Sequence, residues 1–149
     1  VWGWRMLSPR WQTLWGGQMN TDNLPKAYKT PLMNKVVILL SDGNNSFVGN
    51  NYTAYGKLAD NRIGTTNAST AITTLNTKTK AVCDAMKDST RGIIIYTVAL
   101  GTAITSNGKA VLKDCASYPE YYFESPTGDD LQEAFHTIGD SLSNLRISK

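Results

Sequence analysis

Five consecutive apolar residues, Val36 to Leu40, run directly into Ser41-Asp42-Gly43. A continuous apolar run of this length fits a strand covered on both faces, as in a parallel sheet. A second run, Ile93 to Leu100, ends on Gly101 in the same way. Parallel strands need long crossovers, usually helical, so these two runs constrain the fold more than any other feature. The segment between them supplies the crossover. Ala68 to Ser89 reads as a helix, with Ala68, Ala71, Ile72, Leu75, Thr79, Val82 and Met86 recurring at three- and four-residue spacing.

The remaining elements are shorter. Val111–Ala116 reads as a short helix and Tyr121–Phe123 as a third strand. Thr127 and Asp130 fit a capping box in its Asp form. They open a last helix whose stripe is Leu131, Ala134, Phe135, Ile138, Leu142 and Leu145, ending near Arg146. Residues 43–67 form a long Asn-, Gly- and Thr-rich connection, with a short helix expected near Thr53–Asp60. Val1–Leu7 reads as a helix, and Ser8-Pro9 as the start of a second short one. All four tryptophans lie in residues 1–15, interleaved with Arg5 and Arg10. That pattern invites base stacking or carbohydrate binding, but burial of an all-round apolar segment within its own domain is the better expectation. Gly16-Gly17 ends the segment, and residues 18–33 read as a loop. Helices alternating with strands imply an α/β fold with right-handed crossovers and a parallel sheet flanked by helices.

A chain of 149 residues suits one domain, and 41% hydrophobic with 18% charged residues is a globular composition. Fifteen Lys and Arg against twelve Asp and Glu leave a net charge of +3, scattered without a basic run. Nucleic acid is therefore not an expected partner. No apolar run approaches the roughly 20 residues of a membrane span. The chain begins apolar and without a capping residue at Val1, as though cut inside a helix.

In an open parallel sheet ligands bind beyond the carboxyl ends of the strands, which is where Asp42 falls. Phosphate loops are excluded, because no G-x-x-x-x-G-K-[ST] or G-x-G-x-x-G follows a strand. An EF-hand loop starting at Asp42 fails: its sixth position is Phe47 and its twelfth is Thr53. G-x-S-x-G is absent, and the single histidine, His136, lies beside the apolar stripe of the last helix as a solvated residue. Asp42 is then either part of an ordinary Asp-Gly turn or one carboxylate ligand for a hard divalent cation. Cys83 and Cys115 form a disulfide or are two buried thiols, and are too few for a zinc site. Three N-x-[ST] triplets, at Asn44, Asn51 and Asn67, lie in Asn- and Thr-rich sequence where chance explains them.

The succession "VVILLSDGNN", helix, "GIIIYTVALG" resembles the fourth and fifth strands of a von Willebrand factor A domain. With "WGWRMLSPRW", "LWGG", "TAYGKL", "AVCDAMK", "LKDCAS", "YYFESPT" and "LQEAFHTIGDSLSNLRISK", the whole chain is similar to the C-terminal part of TadG-like Tad/Flp pilus-assembly proteins. The resemblance implies a partial Rossmann-like A-type domain over residues 1–149, lacking its first strands. It implies a non-enzymatic protein-interaction role, with pilus-assembly components as partners. Asp42 matches one ligand of a metal-ion-dependent adhesion site; the D-x-S-x-S that would supply others does not occur. Mg²⁺ or another divalent cation is therefore expected only in a full-length domain and not on this stretch.

The resemblance places the chain outside the cytoplasm, anchored in the inner membrane by an upstream segment and making no membrane contact itself. In that setting a Cys83–Cys115 disulfide is expected, since both cysteines lie on crossovers covering one sheet face. Partner contacts are expected at Asp42, Asn44, Asn45, Tyr52 and Tyr55; for the tyrosines, packing within the loop is the alternative. The Val36–Leu40 strand would be left with a free edge, through which the chain could self-associate. A metal-dependent adhesion module unrelated to pili, and a small α/β enzyme using Asp42 as base, are the alternative functions.

Overall fold

The computed structural model describes residues 1–47 and 51–147, and side chains as far as Asn144. Residues 48–50 of the long connection, the side chain of Leu145 in the expected stripe and that of Arg146 near the helix end lie outside the described residues. The fold is α/β. Three parallel strands, β1 (Val36–Ser41), β2 (Ile94–Leu100) and β3 (Tyr122–Ser125), stand in the order β1-β2-β3. Val36 pairs with Ile94 and Ser41 with Ala99; Thr97 pairs with Tyr122 and Leu100 with Ser125. Helices α1 (Trp2–Leu7) and α2 (Gly17–Thr21) precede β1. Helix α3 (Ala68–Lys87) joins β1 to β2, α4 (Ser106–Cys115) joins β2 to β3, and α5 (Gly128–Ile147) follows.

Side chains alternate across a strand, so the two faces of the sheet have separate cores. On one face Ile93 and Ile95 pack with Cys83 and Met86 of α3 and Cys115 of α4, with Trp4, Leu7, Val37 and Leu39 against them. On the other, Tyr96 and Val98 pack with Ile138 of α5, Leu131, Leu142 and Phe123. Central β2 is buried along nearly its whole length, which is what its unbroken apolar run requires.

Strand β1 departs from that expectation. Its inner-face residues Val37 and Leu39 are covered, but Ile38 is 39% and Leu40 44% exposed. They share the α5 face of the sheet, where β2 is covered and, of the edge strand, Val36 packs against the same core. The N-terminal segment departs likewise. Trp4 and Leu7 pack on the core, but α1 has no fully buried residue, and Trp2 is 65% exposed.

Local chemistry explains most boundaries. Asn67 caps α3 by accepting from the Thr70 N–H at 3.0 Å. The capping box forms as expected: Thr127 N–H donates to Asp130 Oδ2 at 3.0 Å, and Asp130 N–H to Thr127 Oγ1 at 3.2 Å. Helix α4 begins five residues before the expected Val111, because Thr105 caps it through the Gly108 N–H at 3.3 Å. The expected helix near Thr53–Asp60 is instead a tight Thr53–Gly56 bridge followed by one 3₁₀ turn, Leu58–Asp60. The second N-terminal helix is a single 3₁₀ turn, Pro9–Trp11, capped by Ser8. In the expected loop, Gly17 starts α2 instead of ending a helix.

Helices α3 and α4 are joined at three points. Cys83 and Cys115 form a disulfide with Cα atoms 5.1 Å apart. One turn before Cys83, Lys80 pairs with Asp114. One turn after it, Lys87 donates to the Asp114 carbonyl and, at 3.2 Å, to the Ala116 carbonyl. Positions 80, 83 and 87 lie on one helical stripe, so a single face of α3 holds the end of α4.

Candidate functional site

The carboxyl ends of β1 and β2 form one surface. Ser41 closes β1, and its hydroxyl donates to the Gly43 carbonyl at 3.2 Å, folding the chain away from the sheet. Asp42 is exposed at that turn. It borders a shallow cleft of about 310 Å³, lined also by Asn45, Asn76, Thr79 and Gly108.

Asn44 is held from the neighbouring loop. Its Oδ1 accepts from the Thr105 N–H at 3.0 Å and the Thr105 hydroxyl at 2.8 Å. Its amide donates to the Ala103 carbonyl at 3.5 Å. A side-chain carbon on Gly108 would lie 2.3 Å from the same Oδ1, so only glycine leaves room for this clasp. Asn45 donates to Asn76 Oδ1 on α3 at 2.8 Å. The two asparagines thus tie the loop after β1 to the loop after β2 and to α3, and these bonds orient the turn that carries Asp42.

The tyrosines divide. Tyr55 packs against a small loop core of Phe47, Ile63 and Ala71, with Lys78 Nζ 6.0 Å from its ring centre. Tyr52 is 73% exposed. Asp42, Asn44 and Asn45 share the strand-end surface; Tyr55 belongs to the folded connection beside α3. His136 is exposed on α5.

Asp42 is the one carboxylate lining this cleft. Among the described residues no three or more His, Cys, Asp or Glu side chains gather. The Ser41 hydroxyl and Asn44 Oδ1, the nearest oxygens in sequence, are already hydrogen-bonded within the fold. Hard cations commonly take six or more oxygens, so a site here would need ligands beyond this carboxylate.

Sequence reasoning missed a charged cluster on the outer side of α4 and β3. Glu124 accepts from Lys109 at 2.6 Å and from the Tyr122 hydroxyl at 3.0 Å, with Lys113 at 3.8 Å. The hydrogen bond from Lys109, then that from Tyr122, holds the Glu124 carboxyl below the usual range. Burial, and then Glu124 itself, pushes the Tyr122 phenol up. Lys109 and Lys113 are four apart on α4 and so face one partner together, a signal that only the β3 register turns into a site.

No family model and no curated protein matches the chain. Among solved structures it is similar to proximal thread matrix protein 1 from the mussel byssus (crystal form 2), at 19% identity with a TM-score of 0.44. The match covers 79% of this chain and 20% of that one, so the chain spans about a fifth of that protein's length. No helix among the described residues is long and apolar enough to cross a membrane.

Proposed function

We propose that this chain is a non-enzymatic protein-interaction domain of a TadG-like pilus-assembly protein, built as part of a von Willebrand factor A-type domain. The observation that carries the reading is the position of Asp42, exposed at the carboxyl end of β1 beside the loop after β2. In the A-type pattern an aspartate after the fourth strand contributes to an adhesion surface, and the ordered sequence segments follow that pattern. Asn44 and Asn45 hold the surface in shape, Asp42 is its accessible contact, and Tyr52 is an exposed candidate contact on the connection that follows. The Cys83–Cys115 disulfide supports a location outside the cytoplasm, where such bonds persist.

The test is binding of this chain to purified Tad/Flp pilus-assembly proteins by surface plasmon resonance. Wild type is expected to bind at least one component, and Asp42→Ala with Tyr52→Ala to weaken that binding without altering the circular dichroism spectrum. Absence of binding to every component would overturn the pilus reading.

A further inference from the structure

We infer that the cavity at the amino ends of β1 and β2, at the end of the sheet away from Asp42, binds a phosphate group. Lys29 and Arg91 are its contacts, and the Lys35 ammonium is the fixed charge behind them. The inference does not rest on the pilus reading. The cavity has a volume of about 440 Å³. It lies between residues 29–35, which lead into β1, and Arg91-Gly92, which lead into β2. Three cationic side chains line it and no carboxylate does.

Lys35 is the residue that points to a ligand. It is only 7% exposed. Its ammonium donates to the carbonyls of Leu7 and Lys26, and the Tyr28 ring centre lies 5.0 Å from Nζ. Among the described residues it forms no ion pair and no third hydrogen bond. Buried charges are ordinarily paired with an opposite one. This ammonium therefore favours an anion in the cavity it lines.

The other two cations are set in place by the fold. Lys29 and Leu32 have left-handed φ values of 56° and 62°, which curl the loop before β1. The Lys29 side chain crosses Gly92, where an added Cβ would lie 3.3 Å from Lys29 Cε. Arg91 donates to the Ala85 carbonyl at 2.9 Å, and its guanidinium carbon lies 5.3 Å from the Trp4 ring centre. Asp88 Oδ1, 3.8 Å from Arg91 Nη1, offsets one of the three charges, and it also accepts from the Thr90 N–H at 2.9 Å. The charge that remains suits a phosphate, whose oxygens accept from guanidinium and ammonium groups together. A phosphate comes free or on a lipid headgroup. In the second case Leu32, 79% exposed at the rim, meets the bilayer.

Two binding measurements at low ionic strength test this on the wild-type chain. One is isothermal titration with inorganic phosphate. The other is co-sedimentation with phosphatidylglycerol vesicles, compared with phosphatidylcholine vesicles. The chain is expected to bind phosphate, or the anionic vesicles and not the zwitterionic ones. Lys29→Glu and, separately, Arg91→Gln are expected to weaken that binding about tenfold or more, the loss of one charge-assisted hydrogen bond. Lys29 is exposed, so its variant is expected to keep the wild-type circular dichroism spectrum. Lys57→Glu makes the same charge change in the connection packed on the first turn of α3, and is expected to leave binding unchanged. Vesicle binding lost in Leu32→Asp supports the proposal with a headgroup as the source. Phosphate binding without vesicle binding supports it with the free anion. Binding to neither probe overturns the proposal. So does binding that Lys29→Glu and Arg91→Gln leave intact, or that Lys57→Glu weakens as much as Lys29→Glu.

Discussion

Asn44 and Gly108 act as one unit, although they are 64 positions apart in the numbering. The glycine removes the carbon that would strike Asn44 Oδ1, and the asparagine fills the space with two accepted hydrogen bonds. Gly108→Ala is therefore expected to destabilise by about 1–3 kcal/mol, the usual range for overpacking. It adds a contact 2.8 Å from Ile104 Cγ2 as well. In an Asn44→Ala background the same substitution should cost less, because one of its two clashes is gone. Urea unfolding of the four proteins of this cycle measures the difference.

Glu124 carries a pH dependence of definite sign. Its carboxyl is held low by the Lys109 hydrogen bond, so the folded state binds its proton less readily than the unfolded one. The contribution is present above the ordinary carboxylate pKa and is lost as pH falls through the lower, folded value. Glu124→Gln should flatten the acid limb of a plot of urea midpoint against pH, leaving the neutral plateau lowered only slightly, since the pairs are half-exposed.

At the scale of elements, the junction of α3 with α4 is the best-secured contact. The disulfide closes a separation of 32 residues and is buried, with Cys115 fully covered. Replacing both cysteines with alanine is expected to lower stability by about 3–4 kcal/mol in the chain-entropy picture, measured by denaturant unfolding. Lys87 still donates to the carbonyls ending α4, so the far-ultraviolet spectrum should hardly change. Helix α3 has room for gain elsewhere. Thr73 and Thr77 are exposed and donate to the carbonyls of Ser69 and Thr73, a bond that competes weakly with helix geometry. Changing both to alanine should stabilise the fold by roughly 0.5 kcal/mol per site, read as a higher thermal midpoint.

Across the whole molecule, protection runs outward from β2. That strand has a neighbour on each side and helices on both faces; among the described residues β1 has one neighbour, with one face covered and the other covered at Val36 but open at Ile38 and Leu40. Native-state hydrogen exchange at low concentration is expected to find β2 amides exchanging only with global unfolding. Every second β1 amide, facing the open edge, should exchange far faster.

Much of this was legible from periodicity. The unbroken runs of β1 and β2 and the helical stripes of α3 and α5 specify an α/β chain with parallel strands, because each pattern buries an apolar surface in only one way. The Thr127–Asp130 cap was readable for the same reason: its chemistry is local. Boundaries failed where distant groups intervened. Helix α4 starts early at Ser106, in a Ser-Asn-Gly run that helix propensity disfavours, and Thr105 and Asn44 hold that start. The tertiary structure alone decided which face of β1 is covered, that Asn44 and Asn45 are bound within the fold, and that Glu124 meets two lysines. A sequence pattern records that a residue is apolar or polar. Whether anything packs against it depends on strand order and on the reach of the helices, and those are properties of the assembled sheet.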